Sequence, residues 1–143
     1  MKIRDFSEKD IPEIVQILKL NGQYSCPEID GADAMMRVSE NESAIFRVVE
    51  INDRVVAMIR GVYDGSRALI HQISVHPDWQ GQKIGKILVK HIARLFWEMG
   101  ATTVSVTASS GKLDSRAFFR KLGFEELPVT LMVHFDIDSL LRS

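Results

Sequence analysis

Apolar residues along this chain fall into two rhythms, one of period two and one near 3.6, and the changes between them mark its elements. Ile3 and Phe6 give residues 2–6 the content of a short strand. Ile11, Ile14, Val15 and Leu18 then recur at i, i+3, i+4 and i+7. Asp10, Pro12 and Glu13 supply an N-cap, a first-turn proline and a capping-box acid for that helix, and Asn21-Gly22 closes it. Residues 23–43 keep no rhythm apart from a short helical stretch at 32–39. Strand signals return at residues 44–51, turn at Asn52-Asp53, and continue over 55–63. Asp64-Gly65 is a hairpin turn leading to a strand at 68–75. Next comes a long amphipathic helix, with Ile84, Ile87, Leu88, His91, Ile92, Leu95, Phe96 and Met99 on one side. Lys86, Lys90, Arg94 and Glu98 line the other, and Gly100 caps it. β-branched residues predict a strand at 102–108. A helix at 113–122 follows, closed by Gly123, and a last strand spans 129–136.

The order is strand, helices, three strands, helix, strand, helix, strand. It predicts one α/β domain over residues 1–143, an antiparallel meander followed by a β-α-β crossover. A chain of 143 residues with 45% hydrophobic and 26% charged content suits a single globular core. The net charge of −1 gives no basic surface for general nucleic-acid binding. One cysteine, Cys26, excludes an internal disulfide and fits a reducing compartment. No window approaches a membrane span, and no apolar leader follows the first methionine, so a cytoplasmic address is expected.

The run from residue 73 to 88 concentrates the chemistry. An apolar strand end passes through a proline turn and a glycine-bearing loop into the first turn of the long helix. Such a junction aims several backbone N–H groups and the positive end of the helix dipole at one place. An anion, most naturally a phosphate group, suits that place. Gly81 and Gly85 let a ligand approach the backbone closely.

This order of elements, with Gln80, Gly81, Ile84 and Gly85 in the loop, resembles the GNAT superfamily of acyl-CoA-dependent N-acetyltransferases. A second signature lies one strand later: Phe118 and Phe119 stand ahead of Gly123 and Phe124 at the family's spacing. Lys83 departs from the pattern, standing where a glycine is usual. The resemblance implies a mixed, mostly antiparallel central sheet with flanking helices and a splayed fourth and fifth strand pair. It implies acetyl-CoA as cosubstrate, with no metal. Gln80, Gly81, Gln82, Lys83, Ile84, Gly85 and Lys86 would cradle its pyrophosphate. Ile73, Ser74 and Val75 would offer strand-like hydrogen bonds to its pantetheine arm, and Phe118 would pack near it. The acceptor would be an amine on a small molecule or protein. A homodimer is compatible with the family.

Transfer to an amine needs a proton acceptor and, in some cases, an acid for the departing thiolate. His71, on the fourth strand, is the candidate base, the other reading being a hydrogen-bonded strand histidine. Gln72 could position water but cannot act as a base. The family's frequent acid, a tyrosine, is replaced by Phe119, which has no proton to give. A thiolate with a conjugate pKa near 8.5 is still a tolerable leaving group. His76 reads as a turn residue and His91 as a satisfied core histidine; His134 could face acceptor, solvent or core. Glu28, Asp30, Asp33 and Tyr24 fall in the irregular 23–43 segment, where acceptor recognition is expected. Phe119 and Lys83 also sustain a reading of another class, a non-catalytic acyl-CoA-binding or regulatory module on the same fold.

Overall fold

The computed structural model describes residues 1–110 and 114–143. A five-stranded sheet in the order β1-β2-β3-β4-β5 organises the chain. Its strands are β1 (Lys2–Asp5), β2 (Ala44–Ile51), β3 (Arg54–Tyr63), β4 (Ala68–Val75) and β5 (Val104–Val106). The first four pair antiparallel, and β5 joins β4 in parallel. A parallel neighbour requires a crossover, which the long helix α4 (Ile84–Met99) provides. The remaining helices are α1 (Ile11–Leu20), α2 (Pro27–Asp30), α3 (Ala32–Glu40), α5 (Arg116–Lys121) and α6 (Ile137–Leu141). This is the mixed α/β sheet with flanking helices that the sequence predicts.

Strand alternation sends side chains to two cores. Phe46, Val48, Val55 and Met58 meet Ile14, Ile17 and Leu18 of α1 and Met35 of α3. Val49, Ala57, Ile59 and Ile70 meet Ile84, Leu88, Val89, Ile92 and Phe96 of α4, with Phe119 of α5. β3 is therefore buried from Val55 to Gly61. A Cβ on Gly61 would lie 2.5 Å from the Leu69 carbonyl and 3.0 Å from the Phe96 ring, so no larger residue fits beneath α4 there. Ile87 and Met99, placed on the apolar side of α4 by periodicity, are partly exposed, and Val89 is buried instead.

Asp10 does not cap α1 through its side chain. It is buried, takes two 2.8 Å bonds from the Arg4 guanidinium and caps the preceding turn at the Ser7 N–H. Burial opposes its ionisation, but the Arg4 bond and the Ser7 N–H outweigh that and hold its pKa below the usual range. Glu13 accepts from Arg54 and the Val55 N–H, tying α1 to β3.

Two expectations are corrected. The fifth strand is three residues, Val104–Val106, rather than 102–108. Residues 129–136, expected as a strand, pair with no strand among the described residues, and the apolar side chains there are exposed. The helix expected at 113–122 is observed as α5, Arg116–Lys121; its expected start at Leu113 lies outside the described residues. No helix among the described residues is long and apolar enough to cross a membrane.

Candidate functional site

Among the described residues β4 and β5 pair from Ala68 to Ile70, opposite Val104 to Val106, and beyond that β4 has no strand partner on that side. The outward edge carries the carbonyls of Ile73 and Val75. Gln23 Nε2 donates to Ile73 O at 3.0 Å, and Val75 O accepts from Asn21 Nδ2 at 2.8 Å and Gln80 Nε2 at 2.9 Å. Strand geometry turns the N–H groups of Ile73 and Val75 to the same side. Ser74 points the other way: it is paired with Met58, and its buried hydroxyl accepts from Asn21 Nδ2 at 2.7 Å. Asn21 and Gln23, which follow α1, therefore belong to this edge. The only trace of them in the sequence was a pair of amide side chains just past a helix end.

The loop after β4 delivers the chain to α4 through a short 3-10 turn, Pro77–Trp79. His76 Nδ1 accepts from the Asp78 N–H at 3.1 Å, and half-buried Trp79 packs against the core. Gly81 has φ of 80°, and nothing lies within 4 Å of a Cβ built there, so only its backbone conformation calls for glycine. Lys83 also lies in the left-handed region, at φ 66° and ψ 12°, and adds no side-chain cap to α4. Ile84 is buried and anchors the helix start. The first backbone bond after Gln80 is Ile87 N–H to Lys83 O at 3.1 Å. The N–H groups of residues 81–86 thus have no hydrogen-bond partner among the described residues. Six consecutive open donors at the positive end of a four-turn helix are the kind of group that an anion would satisfy.

The two sequence signatures meet in space. A Cβ on Gly85 would lie 3.2 and 3.3 Å from the Phe118 ring, so this glycine lets α5 close on the start of α4. Phe118 and Phe119 are edge-on at 4.9 Å, and Phe119 meets Phe124 at 5.3 Å. Phe119 is 4% exposed, a core residue.

His71 stands at an irregularity in β4. Arg60 pairs with Gln72 and Gly61 with Ile70, leaving His71 as the extra residue of a β-bulge. The bulge turns it toward a cavity of about 310 Å³ between α2, α3 and the sheet. Glu28, Ile29, Arg37, Arg60 and Gly61 also line that cavity. Surrounding protein, then the charge of Arg60, lowers the His71 pKa below 6.5. The shift favours the neutral ring, the form that can accept a proton.

Beneath the cavity Arg60 and Asp30 form a buried pair, with Nη2 to Oδ1 at 3.5 Å. Asp30 also accepts from the Ser25 N–H and hydroxyl at 2.7 Å each and from Gln72 Nε2 at 3.2 Å. Gln72 donates to Gln23 O as well, at 3.3 Å. Asp30 and Gln72 are thus committed to holding the 23–30 segment against β4. Asp33 is exposed, and Tyr24 packs beside the α1 core with Lys19 over its ring at 5.0 Å. His91 departs from expectation, since its buried Nε2 has no partner among the described residues. His134 is exposed, its Nδ1 accepting from the Asp136 N–H. The described residues hold no cluster suited to a metal ion.

Residues 11–124 match the model of the Acetyltransferase (GNAT) family. Among solved structures, a transcriptional regulator from Bacillus halodurans C-125 is 24% identical, with 94% of this chain and 99% of that one covered and a TM-score of 0.79. The apo aminoglycoside 6′-N-acetyltransferase AAC(6′)-IG from Acinetobacter haemolyticus is 18% identical, over 96% of this chain and 100% of that one, also at 0.79. A PaiA N-acetyltransferase from Thermoplasma acidophilum, solved with coenzyme A, is 16% identical over 90% and 92%, again at 0.79. At these identities the likeness is one of fold.

Proposed function

The chain belongs to the GNAT acetyltransferase family, and from that premise we propose that it moves an acetyl group from acetyl-CoA directly to an amine bound in the cavity at His71. The observation that carries the proposal is the row of open N–H groups at residues 81–86, beside the unpaired edge of β4. Those donors suit a pyrophosphate, with Lys83 and Lys86 adding cationic side chains. The edge at Ile73 and Val75 suits the amide-bearing pantetheine arm, whose two amides match a strand's spacing of donors and acceptors. Its thiol end would then lie toward the bulge. His71 takes the proton that the amine must shed as its nitrogen bonds to the thioester carbon and the carbon–sulfur bond breaks. Phe119 cannot protonate the leaving sulfur, so the thiolate departs as the anion or takes its proton from water.

Glu28 is the cavity's carboxylate available to a cationic acceptor, since Asp30 is spoken for by Arg60, Ser25 and Gln72. A cytoplasmic setting fits the lone Cys26, and the net charge of −1 offers no broad basic surface to nucleic acid.

The test is calorimetric titration with coenzyme A, followed by thiol release from acetyl-CoA across a panel of amines and amine-bearing peptides. Micromolar binding and turnover with at least one amine are expected. No binding at high micromolar protein would sink the assignment. The buried, hydroxyl-free Phe119 favours a second reading, a non-catalytic acyl-CoA-binding module. Tight binding with no thiol release from any amine would establish that one instead.

A further inference from the structure

Arg4 and Arg60 each pair with a buried aspartate, but they use their nitrogens differently. Arg4 gives both terminal nitrogens to Asp10, at 2.8 Å each, and reaches Glu50 at 3.1 Å as well. Arg60 is only 9% exposed. Its Nη2 donates to the Ile29 carbonyl at 3.0 Å and lies 3.5 Å from Asp30 Oδ1. Its Nε and Nη1 have no hydrogen-bond partner among the described residues. Neither is sealed from solvent, since His91 Nε2 is the one fully buried side-chain nitrogen or oxygen left unpaired among those residues. A guanidinium set into the sheet with open N–H groups is unfavourable until an acceptor completes it.

Arg60 lines the cavity at His71, and Arg37 of α3 lines it too. Arg37 is exposed and has no charged or hydrogen-bonding partner among the described residues. The acids nearby are Glu28, exposed at the mouth, and Asp30 beneath, which also accepts from Ser25 and Gln72. Two cations thus face two anions, and the site is neutral as a whole but divided within. A zwitterion complements that division, whereas a polycation or a phosphate dianion would upset the balance. The rest of the lining includes Ile29, Ala34 and Val38, an apolar wall. At about 310 Å³ the space is at the small end of ligand pockets. His71 stands in the bulge opposite Arg60 and Gly61, so the basic ring and the open guanidinium arise from adjacent positions of the sheet.

On the acetyl-transfer reading above, on which this inference rests, we propose that the acceptor is a small amine carrying a carboxylate: an apolar α-amino acid. The carboxylate takes the open N–H groups of Arg60, with Arg37 joining from α3, because a guanidinium matches a carboxylate in shape as well as charge. The α-nitrogen then faces His71, and the side chain lies along Ile29, Ala34 and Val38. Glu28 at the mouth attracts the ammonium before its proton is lost. Arg60 and Arg37 are specificity residues, since they hold the end of the acceptor that does not react. They select against a protein N-terminus, whose α-carbon bears an amide in place of the carboxylate.

The experiment compares L-leucine, L-leucinamide and 3-methylbutylamine on the full chain; the three share a side chain and differ at the carboxylate. With acetyl-CoA, kcat/KM for L-leucine should exceed that of the others by about 10²-fold, as when a desolvated charged donor loses its partner. Calorimetric titration of each amine onto the coenzyme A complex should give the same order without turnover. Arg37→Gln, a change at an exposed position, should cut the preference for L-leucine about tenfold, as the loss of one charged hydrogen bond does, and leave coenzyme A affinity unchanged. Arg60→Met/Asp30→Asn removes both buried charges together, so that neither is stranded, and should abolish the preference; if it does not fold, Arg37→Gln decides. Equal use of 3-methylbutylamine overturns the proposal. So does failure of L-leucine to bind at millimolar concentration, a preference that survives in the folded variants, or a better acceptor in O-phosphoethanolamine or the peptide Leu-Gly-Gly. Absence of coenzyme A binding overturns the acetyl-transfer reading instead, and titrating the same three amines onto the free chain then decides carboxylate recognition separately.

Discussion

Lys83 supplies a quantitative test of the cradle. Its backbone sits at φ 66° and ψ 12°, in the left-handed region. An L side chain there costs about 1–2 kcal/mol relative to glycine. Lys83→Gly removes that strain but adds freedom to the unfolded chain, which returns roughly 0.5–1 kcal/mol. The net expectation is a gain of about 0.5–1 kcal/mol, or a rise in Tm of roughly 2–4 °C for a domain of this size. Lys83→Ala is the control, because alanine loses the same cation yet keeps a Cβ in the same conformation. Urea melts should therefore rank glycine above alanine, with alanine near the wild type. Coenzyme A titrations on the same three proteins separate the two contributions of this residue. Both variants lose the cation, and any further difference between them reports the readiness of the loop. A glycine variant no more stable than the alanine variant would refute the strain argument, and with it the view that the chain holds this loop in shape.

Three further perturbations address the rest of the site. With acetyl-CoA and amine saturating, kcat should fall as pH drops through a value below 6.5, because the proposed base must be neutral and the His71 pKa is lowered by burial and Arg60; His71→Ala should erase that limb and cut the plateau by about 10²–10⁴, and an unchanged profile would remove His71 as base. Asp30→Asn leaves the Arg60 charge buried without its counter-ion and should cost about 3–5 kcal/mol in a denaturant melt; a loss under about 1 kcal/mol would mean that the pair contributes little to holding the 23–30 segment. Gly85→Ala should be destabilising by roughly 1–2 kcal/mol through overlap with the Phe118 ring, yet neutral or better in a Phe118→Leu background; additivity of the two within about 0.3 kcal/mol would show that the two motifs do not touch.

The sequence made the scaffold readable where local chemistry decides it. Asn52-Asp53 take positive φ at 52° and 64°, the tight turn that residues of this type tolerate between two apolar runs. The stripe on α4 was visible because a long helix repeats its signal many times. The site was readable only where it is built from backbone. The cradle needs a strand, a glycine loop and a helix start, each of which has a local pattern. The bulge at His71 has none, because an extra residue in β4 exists only in relation to the register of β3. The Asp30–Arg60 pair joins residues that only the fold brings together. Its one sequence trace was a charge at position 60 within an otherwise apolar strand. His91 read as a satisfied core residue because its position on the stripe gave no information about partners for Nε2. The strand at 129–136 was read from composition, which gives propensity but not a neighbour.

These differences divide the candidate activity into a robust part and a fragile one. The proposed cradle is made of six backbone donors, so most single substitutions should leave it standing, including the departure at Lys83. The proposed proton removal rests on one side chain, His71, at one bulge opposite Gly61, which α4 leaves no room to enlarge, and Arg60, which is paired with Asp30. A mutation anywhere in that chain of support should weaken turnover before it weakens coenzyme A binding. Asp30→Asn is informative in this second way. If its surviving folded fraction binds coenzyme A normally but turns over slowly, the bulge is positioning His71. If binding and turnover fall together, the 23–30 segment supports the open edge of β4 through Gln23, and the cradle and the base share one foundation.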